Sequence, residues 1–139
     1  MKLLDGAASI VLIASLAAEH APIVERGVVG LRMLAFAARN AGAVPMSCGA
    51  LIAHWYSLSL GSARPGGKVE KTLWFDPVRG AIFIMTKDDV RLPVEVIWCG
   101  LEEQSWKTRF EAVLPRQAGD LPQPITLNCA SVNGRLQCR

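Results

Sequence analysis

Apolar and polar positions are arranged differently in the two halves of the chain. Residues 3–18, LLDGAASIVLIASLAA, show no alternation. Placed at about 100° per residue, Asp5, Ser9, Ser15 and Glu19 gather in one sector, the pattern of a helix buried on most sides. A second helix is expected over 22–41, because Pro22 suits a first helical position and Gly42 a C-terminal stop. Along it Glu25, Arg32 and Arg39 recur every seven residues as a narrow charged stripe, with Val28, Leu31 and Leu34 among the apolar remainder. A third helix is expected over 45–60, PMSCGALIAHWYSLSL, with Ser47 as N-cap and Leu51, Trp55 and Leu58 on one face.

After the glycine-rich stretch GSARPGG, residues 61–67, the period changes to two. Strands are expected at 70–76, 79–86, 90–98 and 105–113, the first two joined by Asp-Pro-Val-Arg-Gly. In the third, Val90, Leu92, Val94, Val96 and Trp98 alternate with Arg91, Pro93, Glu95 and Ile97. In the fourth, Trp106, Thr108, Phe110 and Ala112 alternate with Lys107, Arg109 and Glu111. Such patterns describe strands with one buried and one wet face.

The chain ends in ITLNCASVNGRLQCR, where Asn133-Gly134 accepts the positive φ values of a two-residue type I′ turn. Counting outward pairs Val132 with Arg135, Ser131 with Leu136, Ala130 with Gln137 and Cys129 with Cys138. The cysteines then fall in a non-hydrogen-bonded pair, the closer kind and within disulfide reach. In an oxidising compartment they form a disulfide, with Cys48 and Cys99, which no turn pairs, expected to stay free; in a reducing one they pack as small apolar residues.

The fold class expected is therefore α+β: two or three apolar N-terminal helices (residues 1–61), then a five- or six-stranded antiparallel sheet or small barrel (62–139) closed by the C-terminal hairpin. The chain has 139 residues, enough for one core. Of its 27 formal charges only seven lie in residues 1–61, and 51% of all residues are hydrophobic. That excess predicts contact of the helical half with a protein partner, a second copy or a membrane, through Val28, Leu31, Leu34, Leu51, Trp55 and Leu58. A net charge of +3 does not call for nucleic acid. Residues 3–18 can also be read as a signal peptide with Ser15-Leu16-Ala17 at its cleavage site.

Little chemistry is offered. Cys48 near a helix N-terminus could be an activated thiol, but on one continuous helix His54 points about 120° away from it, so a structural cysteine is the stronger reading. The cysteines form no C-x-x-C, and His20 and His54 have no ligand spacing, so neither metal nor cofactor is expected. Trp74, Trp98, Trp106 and Arg109 remain as a candidate binding surface, although Trp106 and Arg109 should lie on opposite faces of a strand. The leading expectation is a non-catalytic structural or interaction subunit, membrane-associated or exported. The alternative is a small β-domain that binds a ligand or single-stranded nucleic acid, and a cysteine enzyme using Cys48 ranks third.

Overall fold

A computed structural model describes residues 11, 13, 23–53 and 56–139. The helix and signal-peptide readings of residues 3–18 fall outside the described part, as do His20, His54 and Trp55. Nine strands follow one another: β1 (Arg32–Asn40), β2 (Met46–Ile52), β3 (Tyr56–Ala63), β4 (Lys68–Asp76), β5 (Ala81–Met85), β6 (Arg91–Leu101), β7 (Phe110–Glu111), β8 (Ile125–Val132) and β9 (Arg135–Cys138). No helix occurs among the described residues.

This overturns the α+β expectation and the docking helices with it. The second expected helix is β1, where buried Leu34, Phe36, Ala38 and Asn40 alternate with exposed Met33, Ala35 and Arg39. The recurrence of Glu25, Arg32 and Arg39 is thus a coincidence of spacing, and the alanines that favour a helix locally sit in a strand because β4 and β8 pair with both of its edges. The third expected helix is the β2–β3 hairpin, with Met46, Cys48, Ala50 and Ile52 alternating inward.

One mixed sheet of order β3-β2-β6-β5-β4-β1-β8-β9 results, with β7 alongside β6. Strand β1 pairs antiparallel with β4 and parallel with β8, so residues far apart in sequence form its centre. Strand β6 belongs to two layers: Arg91–Pro93 pair with β5, whereas Val94–Leu101 pair with β2. The sheet thereby folds over a single core that draws on both halves of the chain, from Leu34, Phe36 and Ile52 to Phe75, Ile97 and Leu136. The stretch 61–67 divides, its first three residues ending β3 and the remainder turning into β4.

A bulge in β6 changes which side chains face inward. Leu51 pairs with Val96 but Ile52 with Val94, leaving Glu95 as the extra residue. Beyond it Ile97 and Cys99 enter the core, and Trp98, expected on the same face as Val94, turns to the outer face opposite Gly49. The expected strand at 105–113 is also shorter: only Phe110–Glu111 are strand, and residues 102–108 turn back over the sheet.

Two features tie the layers. Asn40, 1% exposed, donates its amide to the carbonyls of Val44 (2.8 Å) and Ala63 (2.9 Å) and accepts from the Gly42 N–H (3.0 Å), pinning two loops to the end of β1. Two disulfides join directly opposed strand residues, Cys48 with Cys99 across β2 and β6 and Cys129 with Cys138 across β8 and β9. The hairpin register is the one obtained by counting from Asn133-Gly134, and mutual hydrogen bonds between Asn128 and Arg139 place the Cys129–Cys138 pair in the non-hydrogen-bonded set. Sequence reading leaves Cys48 and Cys99 free; they are bonded because the β2–β6 register sets them opposite each other. Cys48 is therefore neither at a helix N-terminus nor a thiolate. Disulfides form and persist under oxidising conditions, so this is a chain suited to an exported or extracellular setting. No helix of the described residues is long and apolar enough to cross a membrane.

Candidate binding surface

The outer face of β6 carries the most developed cluster of aromatic and charged groups. After Leu101 the chain turns at Glu102-Glu103, with Glu103 at φ 68°, and folds back so closely that a side chain at Gly100 would strike the Ser105 carbonyl. Thr108 holds this loop: its hydroxyl donates to the Gln104 carbonyl (2.7 Å) and accepts from the Leu101 N–H (2.9 Å). The Thr108 carbonyl then accepts from the Leu136 N–H at 2.9 Å, anchoring the loop to β9.

Trp106 is thereby set against Trp98, ring centroids 5.0 Å apart and planes at 85°, an edge-to-face pair. Trp98 is 7% exposed, packed on Gly49, and its buried Nε1–H has no hydrogen-bond partner among the described residues. Trp106 is 46% exposed, and the Arg109 guanidinium lies 3.8 Å from its ring centroid, a cation–π stack. Arg109 is fixed in that pose by donating Nε to Glu111 Oε1 (2.9 Å) and Nη1 to the Trp106 carbonyl (2.9 Å). Alternation on a strand would have kept Trp106 and Arg109 apart. The turn conformation of 105–108 brings them together.

Trp74 lies elsewhere. It is part of a cross-strand row, Met33, Trp74, Phe83 and Pro93, on the outer side of β1, β4, β5 and β6. Phe83 in this row is buried beneath two guanidinium groups, Arg79 at 5.4 Å and Arg91 at 5.8 Å from its centroid. These arginines strap residues 25–29 to the sheet. Arg91 donates Nε to the Gly27 carbonyl (2.7 Å) and Nη2 to that of Val29 (2.9 Å), and Arg79 makes a two-point contact with Glu25 (3.1 and 3.0 Å). Arg79 Nε also donates to Asp76 Oδ2 at 2.6 Å, while Asp76 Oδ1 accepts the N–H groups of Val78 and Arg79. The Arg79 hydrogen bonds hold both carboxyls, Glu25 and Asp76, below their ordinary pKa values, and the two carboxylates push that of Arg79 up. Sequence reading passed over Arg79 and Arg91; only a tertiary contact 54 residues apart reveals the Arg79–Glu25 pair.

The residues expected at an interface are spread over several elements, with Trp55 outside the described residues. Leu34 is in the core and Leu58 packs against it, Val28 sits on the strap, and Leu51 is half-buried on β2. Leu31 is half-buried just before β1. Among the described residues no group of His, Cys, Asp and Glu is placed to hold a metal ion. Comparison with known protein families, with curated proteins and with solved structures finds no match. The functional reading rests on the residues themselves.

Proposed function

We propose that this protein is an exported, disulfide-stapled β-domain that binds a ligand through the Trp106–Arg109 corner. One observation carries the reading: a half-exposed indole, held by Trp98 behind and Arg109 above, is kept at the surface by a loop with its own hydrogen-bond framework. Aromatic and arginine side chains so immobilised lose little entropy on binding, which is why they dominate contact energies at interfaces. The ligand that suits the corner has a flat apolar face rimmed by hydroxyl groups, as a sugar ring has. The apolar face packs on the part of the Trp106 indole that Trp98 and Arg109 leave exposed, and the hydroxyls meet Arg109, Glu111 and the neighbouring Lys107. The oxidising setting supports an extracellular saccharide over nucleic acid.

Tryptophan fluorescence titrated with soluble oligosaccharides tests this. Saturable quenching in the wild type that disappears in Trp106→Ala, with the disulfides and the fold retained, is the expected result. No change with any oligosaccharide, or the same quenching in Trp106→Ala, overturns it. Quenching by oligonucleotides alone replaces the saccharide with a nucleobase.

A further inference from the structure

We infer that the outer face of β4, β1, β8 and β9 carries a second binding site, one for the sulfate or carboxylate groups of an anionic polysaccharide. The saccharide part of this rests on the proposed function; the anion site rests on its own residues. Strand register builds it. Arg39 of β1 stands opposite Lys68 of β4 and beside Asn128 of β8, and Asn128 is joined to Arg139 by mutual backbone hydrogen bonds of 2.9 and 3.1 Å. All four residues are exposed, so they form one row across adjacent strands on the outer side. At about 4.8 Å between strands, the row sets three cations along a line of about 14 Å.

Like charges directly opposed across strands destabilise a sheet, and Arg39 opposite Lys68 is such a pair. Lys68 is drawn aside to Glu70 at 2.9 Å, whereas Arg39 and Arg139 make no ion pair among the described residues. Beside the row, on the same face, lies a hollow of about 510 Å³. Its lining includes the small Ala41 and Ala130 and the polar Asn128, Gln137 and Arg139, with no acidic residue among those described. Cations of one sign beside a concavity focus their field on it, and the ligand that this field draws is an anion.

The remaining groups select among anions. Asn128 and Gln137 can each donate and accept, which is what hydroxyl groups require. No aromatic side chain belongs to the row or lines the hollow, so the bases of a single-stranded nucleic acid have nothing there to stack on. A bilayer surface takes up large apolar side chains, whereas the apolar lining here is two alanines, Val132 and a disulfide. Strand β9 borders both this site and the Trp106–Arg109 corner, because its Leu136 N–H bonds the Thr108 carbonyl at 2.9 Å. A saccharide chain crossing β9 passes from one to the other.

The test is isothermal titration calorimetry of the full chain with a heparin oligosaccharide and with a neutral glucan oligosaccharide of equal length. Heparin should bind the more tightly, with an affinity that falls as salt rises. Arg39→Gln/Arg139→Gln should weaken heparin at least about tenfold, since two charge-assisted contacts are lost, and leave the glucan unchanged. Both arginines are exposed, so the fold is retained, which the unfolding midpoint verifies. The control Arg32→Gln/Lys87→Gln removes the same charge at exposed positions outside the row and should change heparin affinity by less than about twofold. No heparin binding, or binding that both double variants weaken alike, overturns the inference. So does an oligonucleotide, or a vesicle of anionic phospholipid, that binds as tightly as heparin and depends as strongly on Arg39 and Arg139. Failure of the corner alone reads differently: no oligosaccharide then gives Trp106-dependent quenching, while heparin still binds through Arg39 and Arg139.

Discussion

Removing the Cys48–Cys99 disulfide should cost more than removing Cys129–Cys138, by an amount the topology sets. The first closes a loop of sequence separation 51, the second one of separation 9. Constraining the unfolded chain in this way is worth about 4 kcal/mol for the longer loop and about 2.5 kcal/mol for the shorter at 25 °C. Cys48, Cys99 and Cys129 are all buried, so the cavities left by alanine are similar and largely cancel in the comparison. The location of the two pairs reinforces the order. Cys48–Cys99 clamps the strand shared by both layers, whereas Cys129–Cys138 spans a hairpin whose two strands already adjoin in sequence. At about 4 °C per kcal/mol for a chain of this size, Cys48→Ala/Cys99→Ala should lower the melting temperature by about 16 °C and Cys129→Ala/Cys138→Ala by about 10 °C. Urea unfolding of both variants under non-reducing conditions gives the free energies directly. Equal losses, or a larger loss for the terminal pair, would refute the assignment of the β2–β6 clamp as the main covalent restraint.

Other outcomes follow from single contacts. Asn40→Asp replaces two donated hydrogen bonds with an oxygen facing the Val44 and Ala63 carbonyls, and should destabilise by about 3 kcal/mol at pH 7. The deficit should shrink in acid as the carboxyl regains a proton to donate, which denaturant midpoints at both pH values will show. Asp76→Ala should cost about 2 kcal/mol at neutral pH, because it frees the turn N–H groups of Val78 and Arg79 as well as the Arg79 guanidinium. The folded-state pKa of Asp76, like that of Glu25, is depressed, so the stabilisation is present above their ordinary values and is lost as pH falls through the lower folded values. The gap between wild type and Asp76→Ala should accordingly narrow as pH falls below the ordinary carboxylate range, and a gap that stays constant from pH 7 downward would contradict the ion-pair account. Gly49→Ala drives a methyl into the Trp98 indole and should cost about 2–3 kcal/mol while altering the near-ultraviolet circular dichroism; an unchanged spectrum would place Trp98 elsewhere.

Local chemistry by itself determined the elements whose partners are near in sequence. Asn133-Gly134 specifies a turn, and the turn specifies the register that sets Cys129 opposite Cys138. The β4–β5 hairpin is likewise legible, because Asp-Pro-Val-Arg-Gly carries its own turn signal and alternating residues flank it. The first half was misread because the outward positions of its strands are mostly alanine, glycine, serine and leucine rather than charges, which leaves the alternation little polar contrast. Period two is present in RMLAFAARN, but the alanines and the seven-residue charge spacing also fit a helix, and only the pairing of β1 with β4 and β8 decides between them. A bulge has no signature in a single strand; it exists between two strands, and the one at Glu95 decides that Ile97 enters the core and Trp98 faces out. The same holds for Cys48 with Cys99, for Arg79 with Glu25 and for the stack of Arg109 on Trp106. Each joins groups whose separation in space is set by sheet register or loop closure, quantities that no local stretch of residues encodes. Tertiary structure therefore decided both the all-β fold of the described chain and the surface on which its chemistry converges.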